Sequence, residues 1–393
     1  MNPEHVRSVQ FIDTFYPVID GVVQTVNAYA NLMNQSAYSC VAAPISQKPF
    51  DDSTLPYDVL RCGAFKNPYW EYVIPYPVDL ELERRVRIKY PDILHAHSPF
   101  MMGDTAIRLA RSMHIPVVAT FHSKYKDDTL RLVKNQMAAE LVAKHVAQFF
   151  QKVDSAWACS EGTGETLREY GYKGDIFVIN NGTDFKMPSN IDDLARKAAE
   201  EYKIPSGKHV LLFCGHLIWQ KNIKLVLDTF RSLCDDGDDY RLVIVGNGYA
   251  EKDIHQYAES LHFAEGQVSF LGRITDRDML AGVMRCGDLF FFPSIYDNAP
   301  LVVREAAAMG RPALLVAGSN AAETVVHNVS GFTAQDSVES MKSEIERIFA
   351  EEGLLERVGS KAQETIPVPW KEIIPHVQHK YAEVIERYQA GKG

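Results

Sequence analysis

The stretch Leu289-Phe290-Phe291-Phe292-Pro293-Ser294-Ile295-Tyr296-Asp297-Asn298-Ala299-Pro300-Leu301-Val302-Val303-Arg304-Glu305-Ala306-Ala307-Ala308-Met309-Gly310 decides the architecture. Four consecutive apolar residues, Leu289–Phe292, are too short for a helix of their own and suit a strand covered on both faces, the mark of a parallel sheet. Pro293 and Ser294 break the run. Asp297 or Asn298 supplies a helix cap, Pro300 suits an early helical position and Gly310 ends the helix. A buried strand feeding a helix through a polar loop is half of a βαβ unit. Glu305 then falls in mid-helix among Ala306, Ala307 and Ala308, where an acidic side chain calls for a partner. A sugar or ribose diol is one such partner, because a carboxylate accepts both hydroxyl hydrogens.

The same alternation repeats in both directions from this stretch. Ahead of it stand the expected strands His209–Cys214, Arg241–Val245 and Val268–Leu271, and after it Ala313–Val316. The N-terminal half carries another series: Val9–Asp13, Tyr38–Ala42, Ile93–Ala96, Val117–Thr120, Ser155–Cys159 and Ile176–Ile179. Between the halves, 180–208 mixes turn residues with a charged helix over 192–202, which suits a connection between domains. The tail 370–389 places Ile373, Ile374, Val377, Tyr381, Val384, Ile385 and Tyr388 at spacings of three and four, an amphipathic helix that must dock.

Composition sets wider limits. The chain has 393 residues, enough for two to three domains, with 46% hydrophobic and 23% charged residues, an ordinary packed protein. Its 41 basic against 51 acidic residues leave −10, which argues against nucleic acid as a partner. The six cysteines form no CxxC pair and no metal-ligand cluster, so a reducing compartment and no metal are expected. No signal-peptide pattern and no long apolar run are visible, and the expected location is the cytoplasm.

In open parallel sheets, ligands meet the loops beyond the carboxyl ends of the strands, where helix N-termini offer free N–H groups. After His209–Cys214 come Gly215-His216, then Lys221-Asn222 at the start of a helix over 223–233. A lysine at a helix N-terminus opposes the dipole and is better explained by a bound anion. Gly246-Asn247-Gly248 follows the next strand, and Gly272-Arg273-Ile274 the one after. In the first half, Tyr16, Asp20 and Gly21 follow the first strand, His95 and His97 the third, and His122 and Lys124 the fourth. Three histidines at consecutive strand ends converge on one place.

Taken in order, these motifs resemble glycosyltransferase family 4, retaining enzymes of the GT-B fold. The family's Glu-x7-Glu hallmark stands as Asp297-x7-Glu305, and Asn320-Ala-Ala-Glu323 and Ser330-Gly331-Phe332 resemble its downstream elements. The resemblance implies an α/β fold of two doubly wound Rossmann-like domains facing each other across a cleft. An acceptor-binding domain would span 1–185, joined by a returning helix over 373–393, and a nucleotide-sugar domain 186–372. It implies that Lys221 binds the donor diphosphate, Glu305 the ribose hydroxyls and Asp297 the donor sugar. His122 matches the histidine that contacts the sugar near the reacting carbon. Gly21, Gly215, Asn222, Gly246, Arg273, Ile274, Ala299, Leu301 and Val302 complete the expected donor set, and Tyr16, Asp20, His97 and Lys124 the acceptor set.

Two departures stand out: Asp297 is one methylene shorter than glutamate, and His216 replaces a usual arginine, a permanent phosphate clamp, by a group that titrates near ~6.5. The segments 11–23, 95–103 and 117–128 resemble the branch that glycosylates diacylglycerol-type lipids. The expected activity is transfer of a hexosyl group from a nucleotide sugar, UDP-glucose among the favoured donors, to a lipid or glycan hydroxyl, with no cofactor or metal. The basic stretch Glu83–Tyr90 suits peripheral contact with an anionic membrane at its inner face. A non-catalytic nucleotide-sugar-binding subunit and a nucleotide-sugar epimerase are the alternative readings.

Overall fold

The computed structural model describes residues 2–66, 73–237 and 239–391. It divides into two compact units, Met1–Gly182 with Pro369–Gly393, and Thr183–Val368. The division lies slightly ahead of the expected boundaries at 185 and 372, and local packing explains why. Thr183 N–H donates to Val368 O at 2.8 Å, and Phe185 is buried in the core of the second unit. Gly182 belongs to the first unit because Trp370 lies against it; a Cβ there would fall 2.8 Å from the indole. The last two residues of the expected tail segment lie outside the described residues.

The first unit is built on seven strands: β1 (Ser8–Phe11), β2 (Ser39–Pro44), β3 (Val59–Cys62), β4 (Ile93–Ala96), β5 (Val117–Phe121), β6 (Ser155–Ala158) and β7 (Ile176–Val178). They pair in parallel in the order β3-β2-β1-β4-β5-β6-β7. β1, β2, β4 and β5 are buried at every residue, as strands covered by helices on both faces must be. β3 lacks that uninterrupted apolar run, alternating half-buried and buried residues at the sheet edge, which is why its sequence does not announce it. The tail helix Trp370–Ala390 docks on this unit with Ile374, Val377, Tyr381, Val384 and Ile385 inward, while Ile373 and Tyr388 of the expected face are only half-buried.

The second unit repeats the scheme with β8 (His209–Cys214), β9 (Tyr240–Val245), β10 (Val268–Gly272), β11 (Leu289–Phe291), β12 (Ala313–Val316) and β13 (Phe332–Ala334). The order is β10-β9-β8-β11-β12-β13, again all parallel. In both units the strand order reverses direction once: between β1 and β4, and between β8 and β11. At such a reversal the crossover helices leave on opposite faces of the sheet, so the loops diverge and open a crevice at the strand ends. β13, three residues long and at the edge, is absent from the sequence pattern.

Candidate functional site

The reversal point of the second unit lies between the loops that follow β8 and β11. Beyond β8 the chain runs through Gly215 and His216 to a 3₁₀ turn, Trp219–Lys221, and then the helix Ile223–Asp236. Beyond β11 the loop 292–299 leads into the helix Leu301–Ala308. Lys221 is buried, and its ammonium donates to both oxygens of Asp297, at 2.6 and 2.8 Å. The side chains are 10% and 17% exposed. Ser294, fully buried, donates its hydroxyl to Asp297 Oδ2 at 2.6 Å and accepts from the Tyr296 and Asp297 N–H groups. The opposing dipole at Lys221 therefore has a partner within the protein, a carboxylate from the neighbouring loop, where the sequence suggested a bound anion.

Asn222 sits in the left-handed region, at φ 59°, and its amide donates to Pro293 O at 3.2 Å and Asp336 Oδ1 at 2.7 Å. It ties the loops together. Gly246 is demanded by packing: at φ 136°, a Cβ would lie 1.9 Å from Gly215 O. Gly248 is equally tight, 2.4 Å from Leu217 O, and Leu217 N–H donates to Asn247 O at 3.0 Å. The glycine turn thus holds the Gly215–Leu217 loop against β9. Gly215 lies against the Lys221 stem, where a Cβ would make an ordinary contact with Cδ at 3.4 Å.

Glu305 projects from the helix Leu301–Ala308 with 14% of its side chain exposed, and burial pushes its carboxyl above the usual range. Its protein partner is Arg277, at 3.4 Å, which also lies over the Phe185 ring at 4.6 Å. Nothing in the local sequence marks Arg277, because it comes from a helix far away in the chain. Pro300 offers no side-chain cap to the helix Leu301–Ala308, which follows directly on the loop that carries Asp297. His216 and Arg273 are exposed, and Ala299 and Ile274 half-buried, on the surrounding loops.

The first unit brings together His95, His97 and His122 as a stack, with ring centroids 4.0 and 5.3 Å apart. Both nitrogens of His97 are used internally, at 3.1 Å from His122 Nε2 and 3.0 Å from Gln10 Oε1, and its exposure is 1%. The acceptor contact expected of His97 is thereby replaced by a structural one. His95 is likewise enclosed, between Thr120 Oγ1 at 2.7 Å and the Tyr381 hydroxyl at 2.6 Å. Only His122 reaches the surface, at 9% exposure. Burial depresses all three, His122 to about 3, so they are neutral near pH 7.

Asp20 caps the helix Gly21–Met33, accepting from Val23 N–H at 2.8 Å, which accounts for it without an acceptor. Gly21 has open space where a Cβ would stand. Tyr16 stacks on Phe50 at 5.2 Å. Lys124 lines a cavity of about 500 Å³ with Lys126, Glu140, Lys144 and Tyr170. Asp13, at the end of β1, accepts from Ser98 Oγ and from Met102 N–H at 3.2 Å, serving a helix that has no cap of its own.

In the expected basic patch at Glu83–Tyr90, two of the four cations are paired with acids and two meet neutral acceptors, while Glu83 is taken by Arg108. Arg84 pairs with Glu81, Lys89 with Asp58, and Glu83 with Arg108, while Arg85 and Arg87 donate to Arg61 O and Ser112 Oγ. Among the described residues, no group of three or more His, Cys, Asp or Glu is placed to hold a metal ion, and no helix is long and apolar enough to cross a membrane.

Comparison with known proteins joins the two halves. Residues 19–186 match the family model described as Glycosyltransferase Family 4, and residues 195–365 that of Glycosyl transferases group 1. The chain is similar to an alpha-monoglucosyldiacylglycerol synthase of Streptococcus pneumoniae, 24% identical over 316 residues, 77% of this chain and 69% of the relative. A GDP-mannose-dependent alpha-mannosyltransferase of Corynebacterium glutamicum is 23% identical over 385 residues, 95% of this chain and 88% of its own. Among solved structures, HepE of Anabaena in complex with UDP and glucose superposes with a TM-score of 0.75 at 17% identity, covering 96% of this chain and all of that one (100%). Sucrose-phosphate synthase of Thermosynechococcus elongatus does so at 0.75 and 16%, covering 98% and 100%. The fold is the GT-B fold of these proteins, and with both halves matched in order, the chain belongs to glycosyltransferase family 4.

Proposed function

We propose that the chain is a retaining hexosyltransferase that takes its sugar from a nucleotide donor, a UDP-sugar such as UDP-glucose, and passes it to a hydroxyl of a glycolipid or glycan. The observation that carries this reading is the Lys221–Asp297 pair at the sheet's reversal point beside the uncapped helix Leu301–Ala308. Transfer builds negative charge on the departing diphosphate while the sugar becomes oxocarbenium-like. Lys221, the N–H groups of Leu301 and Val302, and His216 in its protonated form would meet the first demand. Asp297 would hold the sugar, Glu305 the ribose diol, and Arg273 and Ile274 the base. His122 would act at the sugar near the reacting carbon. The acceptor hydroxyl attacks C1 from the leaving-group face as the C1–O bond to the diphosphate breaks, and a diphosphate oxygen takes the hydroxyl proton. This sequence retains configuration.

A lipid acceptor is favoured by the likeness to the monoglucosyldiacylglycerol synthase. It is also favoured by an apolar edge in the first unit, where Leu132, Val133, Met137 and Leu141 stand exposed with Lys134 and Lys144 beside them. Apolar side chains flanked by cations suit an anionic membrane surface.

The test is nucleotide release from UDP-, GDP- and ADP-sugars, with and without diacylglycerol, glycolipid and glycan acceptors. UDP release dependent on a lipid or glycan is expected, and tight nucleotide binding with no release from any donor would sink the transferase reading. In the same assay, His122→Ala keeps nucleotide affinity and loses turnover, whereas Glu305→Ala weakens nucleotide binding. The reverse pattern overturns those two assignments.

A further inference from the structure

Glu305 is a carboxylate in mid-helix with 14% of its side chain exposed, so its oxygens are open to a ligand yet largely stripped of water. Such a group favours its proton unless a positive charge stands by. The helix Arg277–Cys286 brings one: Arg277 Nη2 lies 3.4 Å from Glu305 Oε1. The same guanidinium lies over the buried Phe185 ring at 4.6 Å, a face that a planar guanidinium suits and that limits where it can go. Phe185 is itself tied down, donating its N–H to Thr183 Oγ1 at 3.1 Å.

The neighbouring charges are engaged elsewhere. Lys221 is on Asp297, and Arg304, one residue earlier on the helix, donates to Ile366 O at 3.1 Å. At the end of β8, Cys214 feels the carboxylate, but burial and the Glu305 charge push its thiol up to about 12, so it is neutral. Burial pushes the Glu305 carboxyl up, and Arg277, by its charge and its hydrogen bond, draws it back. Among the described residues Arg277 is the one polar side-chain partner of this carboxylate, and its contact is with Oε1. A carboxylate offers about four acceptor sites, so room remains for two hydroxyls.

We propose that Arg277 is a positioning residue whose guanidinium holds Glu305 as a carboxylate, ready to take charge-assisted hydrogen bonds from the ribose diol of the donor. A protonated Glu305 would still meet the hydroxyls, but through weaker, neutral bonds. The proposal rests on the reading of Glu305 as the ribose ligand and adds the group that sets its charge.

The experiment compares the affinities of UDP and 2′-deoxy-UDP for the full chain and for Arg277→Gln between about pH 5 and 8. The ratio of the two cancels titrations that both nucleotides share, the diphosphate's among them. In the unaltered chain UDP is expected to bind roughly ten- to a hundred-fold more tightly at neutral pH, as a hydrogen bond to a charged group should give. In Arg277→Gln the preference is expected to fall to a few-fold, and to do so at a higher pH than in the unaltered chain. A purely structural arginine would weaken both nucleotides alike and leave the ratio's pH profile in place, and that result overturns the proposal. Glu305→Gln has no charge to lose, so a ratio that still follows pH in that variant overturns it too. The pair is also read without nucleotide, from the carboxyl ¹³C signal that Glu305→Gln removes. Its titration midpoint rises in Arg277→Gln, and an unmoved midpoint sinks the proposal. If that midpoint rises while UDP and 2′-deoxy-UDP bind the unaltered chain alike at every pH, it is the ribose reading of Glu305 that falls.

Discussion

The Lys221–Asp297 pair ties the loop after β8 to the loop after β11, and its removal should be measurable as coupling. With ammonium and carboxylate oxygens at 2.6 and 2.8 Å, both largely buried, the geometry is that of a charge-assisted pair. At an effective dielectric of about 20, charges about 2.7 Å apart attract by roughly 6 kcal/mol. Desolvation cancels more than half, leaving about 2–3 kcal/mol of coupling. Lys221→Met strands the carboxylate with Ser294 alone, and Asp297→Asn strands the ammonium. Each should destabilise the second unit by about 2–3 kcal/mol, and the double variant by little more than either single one. Native-state hydrogen exchange of the β8 and β11 amides reads the second unit specifically. UDP at one hundred times its dissociation constant should add about 2.7 kcal/mol to the unaltered chain and far less to Lys221→Met. If the double variant loses the full sum of the singles, the pair is not coupled and the reasoning fails.

Three other outcomes are expected. Gly246→Ala meets both a positive φ and a carbonyl 1.9 Å away, so a loss of about 3–5 kcal/mol is expected by thermal or urea unfolding. Gly21→Ala, with nothing within 4 Å, should leave stability within about 0.5 kcal/mol yet slow transfer; unchanged transfer would remove Gly21 from the site. Burial pushes the Asp13 carboxyl from 3.8 up to about 6, so the folded chain holds its proton over a range where the unfolded chain has lost it. Stability owed to the protonated form is complete below pH 3.8 and is lost as pH rises through about 6. Across that interval the chain should lose about 2–3 kcal/mol relative to Asp13→Asn, measured by urea midpoints at each pH, and parallel profiles would refute it.

Much of the fold was legible because buried parallel strands are continuous apolar runs. Ile93–Ala96, His209–Cys214 and Ala313–Val316 begin and end where the pattern puts them. β3 and β13 escaped, being edge strands whose residues need not all be apolar. Of the candidate site, the residue types and their places at strand ends were readable, since loops beyond strand termini are local in sequence. Partners were not. Arg277 beside Glu305, Gln10 and Tyr381 around the histidines, and Asp336 on Asn222 come from distant segments.

Several assignments changed meaning once packing was visible. Asp20 is a helix cap, Gly246 a packing glycine and His97 an enclosed link. In each case the residue type was a correct sign of constraint, but a close backbone approach or an internal hydrogen bond supplies the constraint in the protein itself. The one signal left unread was Gln10, an amide inside an apolar strand, which already implied a buried polar network. By itself, the sequence determined the two doubly wound units and the family, because apolar periodicity and motif order are properties of neighbours along the chain. Only the tertiary structure decided which charges meet and which buried polar groups share hydrogen bonds, because those depend on side chains brought within about 3 Å from segments far apart in sequence.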